Sequence, residues 1–448
     1  MNTKPPHEAD PVLRLNPRRS ALLAGHTNTV ELLVRITAPP RPAGASQPRP
    51  PFNLALVLDR SGSMSGQPLT EACRCAHAMI QRLDARDRAA LVVFDDQVNV
   101  LVTSRHVTDQ RPFQAALGMV QEGGCTNLHG GWVEGAGEVA RHLRPDSLNR
   151  IVLLSDGNAN QGLCDPQEIA RQCAELAGTG VTTSTYGLGN HFNEELMVGM
   201  AKAGMGNPYY SDTADDLLDK FEEEFALMQA LCARRLRLLV RAAPGVKLEL
   251  LNDYPSGGDG IWRLPDLAYD SEAWAVLRLN VSHQEIEGAD ERPLPLLEVE
   301  LAWTDLEGQA RSGVAATLAL PVLPVAAFGA VAEDERVTAR LAEIESAGLQ
   351  LQARTAARQG DWDRVDRLLA KAKRLAQDHP WLEAVVSELE KLAAARDDAR
   401  FSKESYYSSQ RMSSRLSAPD ESAREPDRDD DIPAFLRRQS RQGKKSKP

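Results

Sequence analysis

The stretch Leu54–Ser63, L-A-L-V-L-D-R-S-G-S, decides how the first half of this chain folds. Its opening apolar run reads as a strand buried on both faces, as in a parallel sheet covered by helices. Asp59, Ser61 and Ser63 follow at alternate positions in a loop that Gly62 allows to turn tightly. One carboxylate and two hydroxyls this close suit a hard divalent cation, because Mg²⁺ takes oxygen donors and keeps waters in an octahedral shell. Taken alone, the pattern reads equally as a serine-rich turn after a strand. Two later segments favour the cation. Gly123–Leu128, G-G-C-T-N-L, presents the Thr126 hydroxyl on a glycine-supported loop, and Ile151–Gly157 is a second apolar run, ending at Asp156. Ligands of open parallel sheets gather beyond the carboxyl ends of the strands, which puts Asp59 and Asp156 on one crevice.

Over residues 52–231 the order and spacing of D-x-S-x-S, threonine loop and later aspartate resemble the von Willebrand factor type A family. The resemblance implies a metal-ion-dependent adhesion site. Ser61, Ser63 and Thr126 would then bind the ion directly, with Asp59 and Asp156 acting through bound water. It implies Mg²⁺, with Ca²⁺ or Mn²⁺ as substitutes, and a protein partner that offers an Asp or Glu carboxylate to an open coordination position. Cys125 departs from the family pattern, which usually has glycine beside the threonine.

Around that segment the apolar runs Leu54–Leu58, Ala89–Phe94, Arg150–Leu154 and Val181–Gly187 alternate with helical stretches at Leu69–Leu83, Pro112–Gln121, Gly131–Leu143, Pro166–Ala177 and Glu194–Ala203. This alternation predicts an α/β, doubly wound, mostly parallel domain over 52–231, closed by a helix that Thr213 caps and that runs to Met228. From 232 to 326 the pattern alternates and turn residues punctuate it, which predicts a small antiparallel β-sandwich. Residues 1–51 hold a strand candidate, Thr29–Ile36, expected to pair with that sandwich, and a Pro-rich linker. Residues 327–398 take helical periodicity, with breaks at Gly360-Asp361 and His379-Pro380, and 399–448 reads by composition as a disordered tail.

Within the tail lies the apolar island 431–439, D-I-P-A-F-L-R-R-Q. Ile432, Phe435 and Leu436 share a helical stripe, Pro433 sits in the first turn, and Arg437 and Arg438 close the segment, a pattern that fits a partner's groove. These residues resemble the C-terminal peptide of the bacterial division protein FtsZ, which implies division-ring factors as partners. The alternative association is substrate adaptor of an AAA+ ATPase.

Composition narrows the function further. A chain of 448 residues at about 150 per domain holds two or three domains. The formal charge of −11 argues against general attraction to nucleic acid. No run reaches the ~20 apolar residues of a membrane span, and the first residues show no signal-peptide core, so a cytoplasmic location is expected. The six cysteines are scattered and read as thiols; Cys73, Cys75 and His77 lack the ligand pair that zinc requires. A metal-dependent hydrolase is the weaker reading. Ser61 stands where a phosphoaspartyl enzyme needs its second aspartate, Ser63 has no His–Asp relay in a recognisable motif, and no Walker A sequence occurs. No catalytic residue is expected.

Overall fold

The computed structural model describes residues 10–42, 49–188, 193–211, 214–287, 292–377, 379–414 and 416–418. Contacts divide the chain into two compact units: an α/β unit, chiefly Gln47–Ala230, and a second unit built from Met1–Ser46, Leu231–Asp305 and Ala310–Ser440.

The α/β unit is organised around β1 (Phe52–Asp59), whose eight residues are all buried. It pairs in parallel with β2 (Arg88–Phe94) on one side and β4 (Leu148–Ser155) on the other. β3 (Val98–His106) adds antiparallel beyond β2, while β5 (Val181–Leu188) and β6 (Met205–Ser211) extend the parallel side. The sheet order is β3-β2-β1-β4-β5-β6. Helices α1 (Gln67–Arg82), α2 (Arg111–Leu117), α3 (Leu128–Ala140), α4 (Pro166–Thr179), α5 (Glu194–Ala203) and α6 (Ala214–Ala230) complete the alternation. The sheet explains the glycine-rich sequence of α3. A Cβ at Gly135 would lie 2.4 Å from Cγ2 of Val57, so only glycine lets that helix lie directly on β1.

Two strands escape the reading of apolar runs. β3 is exposed at alternate positions, and β6 contains Gly206 and Pro208, which read as a turn. Both are edge strands, where partial exposure and a missing N–H are tolerated. α2 stops at Leu117, short of the expected Gln121, where Gly118 turns the chain toward the Thr126 loop and donates its N–H to the Gln114 carbonyl. Thr213, the expected cap of α6, lies outside the described residues.

The second unit carries two antiparallel sheets. Strands Val12–Pro17, Asn28–Thr37, Glu272–Val281 and Val246–Leu250 form one in that order. Asn28–Thr37 pairs with Glu272–Val281 along its whole length, so the chain resumes this sheet after the α/β unit. The other sheet centres on Leu231–Ala242 and Leu294–Thr304. Leu33, Trp274 and Val276 of the first sheet bury against Val337 and Leu341 of helix α7 (Glu335–Arg358). α7 continues into α8 (Trp362–Leu375), α9 (Pro380–Ala394) and α10 (Asp398–Ser414).

α10 corrects the expectation of a disordered tail from residue 399. Phe401 joins the core of Ala353, Val365 and Leu389, and Met412 joins that of Ala347, Ala376 and Leu382. Phe401, Ser405, Ser408 and Met412 fall on one helical face, and the serines are small enough to let α10 approach α7 closely. Composition misreads such a helix, because buried serines count as polar. Ser417 then forms a β-bridge with Glu272. The expected docking peptide 431–439, with Ile432, Pro433, Phe435, Leu436, Arg437 and Arg438, lies outside the described residues.

Candidate metal-binding site

The site forms where β1 and β4 end side by side. Their register aligns Leu58 with Leu154, so Asp59 and Ser155 emerge as neighbours at the carboxyl edge of the sheet. Asp59 has no solvent exposure. It accepts hydrogen bonds from the Ser61 N–H at 2.8 Å and the Ser155 hydroxyl at 2.5 Å, and these fix its orientation. Burial, helped by the nearby Asp156 charge, outweighs these bonds and pushes its pKa up to about 6. Among the described residues no basic side chain is bonded to it. Charge on so deeply buried a carboxylate is costly unless hydrogen bonds or a cation compensate it.

Ser61 and Ser63 bring their hydroxyls within 3.2 Å of each other. Gly62–Met64 forms a single 3-10 turn, which leaves Ser61 buried and Ser63 exposed. The Thr126 loop is tied to this turn by main-chain bonds: Gly123 N–H donates to the Arg60 carbonyl at 2.7 Å, and Gly62 N–H donates to that of Gly124 at 2.9 Å. Thr126 in turn anchors the loop after β4. Its N–H donates to Oδ1 of Asn160 at 2.7 Å, and its carbonyl accepts from Asn160 and Gln161 at 3.1 and 3.2 Å. Asp156 is buried there, receiving the Asn158 N–H at 3.1 Å on its carboxylate and the Asn193 N–H at 2.9 Å on its carbonyl.

Asp59, Ser61, Ser63, Thr126 and Asp156 therefore sit on three loops interlocked by hydrogen bonds on one edge of the sheet. The donor set is oxygen throughout, two carboxylates and three hydroxyls, which fits Mg²⁺ and excludes a soft-metal site. Among the described residues no cluster of three or more His, Cys, Asp or Glu side chains could hold a metal ion. His129 is half-buried and bonded to Oε1 of Gln172 at 2.8 Å, a rim residue of α3.

Sequence reasoning missed the support behind these loops. Asp95, at the end of β2, bonds the Gln97 N–H at 2.8 Å, accepts the Asn127 N–H on its carbonyl at 2.8 Å, and pairs with the Arg60 guanidinium at 3.1 Å. It abuts Gly123 so closely that a Cβ there would stand 1.7 Å from Oδ2 of Asp95 and 2.9 Å from its Cβ. Gly123→Ala is expected to shift the loop, costing about 1–3 kcal/mol by overpacking. Urea unfolding of the metal-free chain measures the cost, and an unchanged midpoint would refute the packing argument. The Asp95-Asp96 pair before Gln97 was the available signal, since such residues favour tight turns.

Residues 53–224 match the von Willebrand factor type A domain family. Protein sll0103 of Synechocystis sp. is 29% identical over 207 residues, covering 45% of this chain and 48% of that protein. The chain spans less than half the length of the curated relatives it matches. Among solved structures, a von Willebrand factor type A protein from Catenulispora acidiphila superposes with a TM-score of 0.71 at 18% identity, over 90% of this chain and 97% of that one. The ArnB paralog VWA2 from Sulfolobus acidocaldarius superposes with a TM-score of 0.61 at 18% identity, over 90% and 99%. Both share the fold across nearly the whole chain. None of the helices among the described residues is long and apolar enough to cross a membrane. The unit built on β1 to β6 is a von Willebrand factor type A (VWA) domain, a type that generally serves in protein interaction.

Proposed function

We propose that this chain is a Mg²⁺-dependent interaction scaffold whose VWA crevice receives an Asp or Glu carboxylate of a partner protein. The observation that carries the reading is Asp59: wholly buried, without a bonded basic partner among the described residues, and set beside the paired hydroxyls of Ser61 and Ser63. Ser61, Ser63 and Thr126 are the direct ligands in this reading, and Asp59 and Asp156 stand behind them through water. When bound, the cation supplies a Lewis-acidic position for an anionic oxygen. The protein's residues do the rest. Ser155 and the Ser61 N–H hold Asp59 in one orientation, so the negative charge is fixed before any cation arrives. The exposed side of Ser63 leaves the approach open to a ligand. Ca²⁺ fits the same donors with less demand on geometry, and Mn²⁺ takes the same oxygen ligands.

The tail peptide 431–439 gives the scaffold a second docking element, suited to receptors of the FtsZ tail. The two are separable by experiment. Affinity capture with the full chain, in Mg²⁺ and in chelator, is expected to recover a partner only with Mg²⁺ and to lose it with Thr126→Ala. A division-ring factor bound through the peptide stays in both conditions. Identical partners with and without metal, all unaffected by Thr126→Ala, would overturn the crevice as the binding site.

A further inference from the structure

We propose that the acidic segment 420–431 of this chain docks on a basic stripe of α8 formed by Arg364, Arg367, Lys371 and Arg374. These four residues are spaced by three, four and three positions, so they lie on one face of the helix. All four are exposed, and none has a carboxylate partner among the described residues. Their neighbours are satisfied: Lys373 pairs with Glu390 at 2.9 Å, and Asp366 with Arg396 at 3.5 Å. Asp363 flanks the stripe without a bond to it. In a chain of formal charge −11, four unpaired cations along one helix repel each other and leave a local positive field for an anionic partner.

Segment 420–431 has the complementary charge, with seven acidic residues (Asp420, Glu421, Glu425, Asp427, Asp429, Asp430 and Asp431) against Arg424 and Arg428. Met412 of α10 and Ala376, just past α8, belong to one buried cluster, so α10 ends on the Arg374 side of the stripe; the chain then passes Ser417, bridged to Glu272, before the acidic segment begins. Arg374 and Lys373 there line a groove of about 770 Å³ together with Glu383 and Glu390. From Arg364 to Arg374 the stripe runs ~15 Å at helical rise, whereas twelve extended residues reach ~40 Å. The acidic segment is long enough to follow the stripe from Arg374 back to Arg364.

The peptide 431–439 begins at Asp431, the last residue of the acidic segment, so the proposed contact, a clasp, ends where that peptide starts.

Zero-length carbodiimide coupling of the full chain, at low protein concentration and with mass-spectrometric mapping, tests the clasp. Coupling of Lys373 to Glu390 serves as the internal control. The expected product is an intramolecular bond from Lys371 to a carboxylate within 420–431. Its yield is expected to fall at least about fivefold between roughly 20 mM and 0.5 M salt, because exposed charges are screened. The variant R364E/R367E/R374E, which keeps Lys371, is expected to lower the yield comparably while its circular dichroism stays native. No coupling of Lys371 to 420–431, coupling found only between two chains, or a yield untouched by the charge reversals would each overturn the proposal.

Discussion

Asp59→Asn is expected to stabilise the metal-free VWA domain at neutral pH and to abolish its response to Mg²⁺. In the folded chain burial raises the pKa of Asp59 from its ordinary 3.8 to about 6. The folded state therefore holds the proton more tightly than the unfolded one. Below pH 3.8 the carboxyl is protonated in both states and the variant gains nothing. Between there and pH 6 the folded state increasingly bears the cost of a buried charge, and above pH 6 that cost is complete. A shift of this size corresponds to about 3 kcal/mol. Urea unfolding in chelator, at pH 3.5 and pH 7.5, should show a gap between variant and parent that opens with rising pH. Added Mg²⁺ should raise the parent alone. A variant that loses stability at pH 7.5 in chelator would show that Asp59 is a structural acceptor and not a charge held for a water-bridged cation.

Glu224→Ala is expected to cost about 3–5 kcal/mol, because it strands a buried guanidinium. Glu224 of α6 has no exposure and meets Arg150 of β4, itself almost fully buried. Its Oε1 also accepts the Ser184 hydroxyl at 2.8 Å, and Oε2 accepts from Nδ2 of Asn207 at 2.7 Å and from the Tyr209 hydroxyl at 2.8 Å. One carboxylate thus ties the last helix to β4, β5 and β6. The contrast lies two residues earlier. Glu222 pairs with Arg82 at the surface, both about half exposed, and Glu222→Ala should change stability by less than about 1 kcal/mol. The two variants are compared on the unfolding step of the α/β unit, since two compact units need not unfold together. Equal effects would refute the claim that burial sets the difference.

The central strands and the candidate site were legible because each carries a signal of its own. β1, β4 and β5 are fully buried, and their apolar or β-branched residues mark them as strands in sequence; each site loop opens directly after β1 or β4 or beside a glycine pair. What stayed illegible depends on partners far away in sequence. β6 forms because β5 supplies its ladder, in spite of Pro208. Asp95 matters through Arg60 and Gly123, which no spacing rule connects. α10 is the clearest case: its serines look solvated in sequence, and only α7 makes them an interface. Arg354, whose guanidinium lies 4.2 Å from the Tyr406 ring, shows the same dependence on a distant partner.

Isothermal titration of Mg²⁺ into the chelator-treated full chain at pH 7.5 tests the central claim most directly, alongside the variant Ser61→Ala/Thr126→Ala. One saturable site in the parent, absent from the folded variant, is the predicted result. No binding to the parent, or the same binding to both, would contradict a cation held by Ser61, Ser63 and Thr126 with Asp59 and Asp156 behind them.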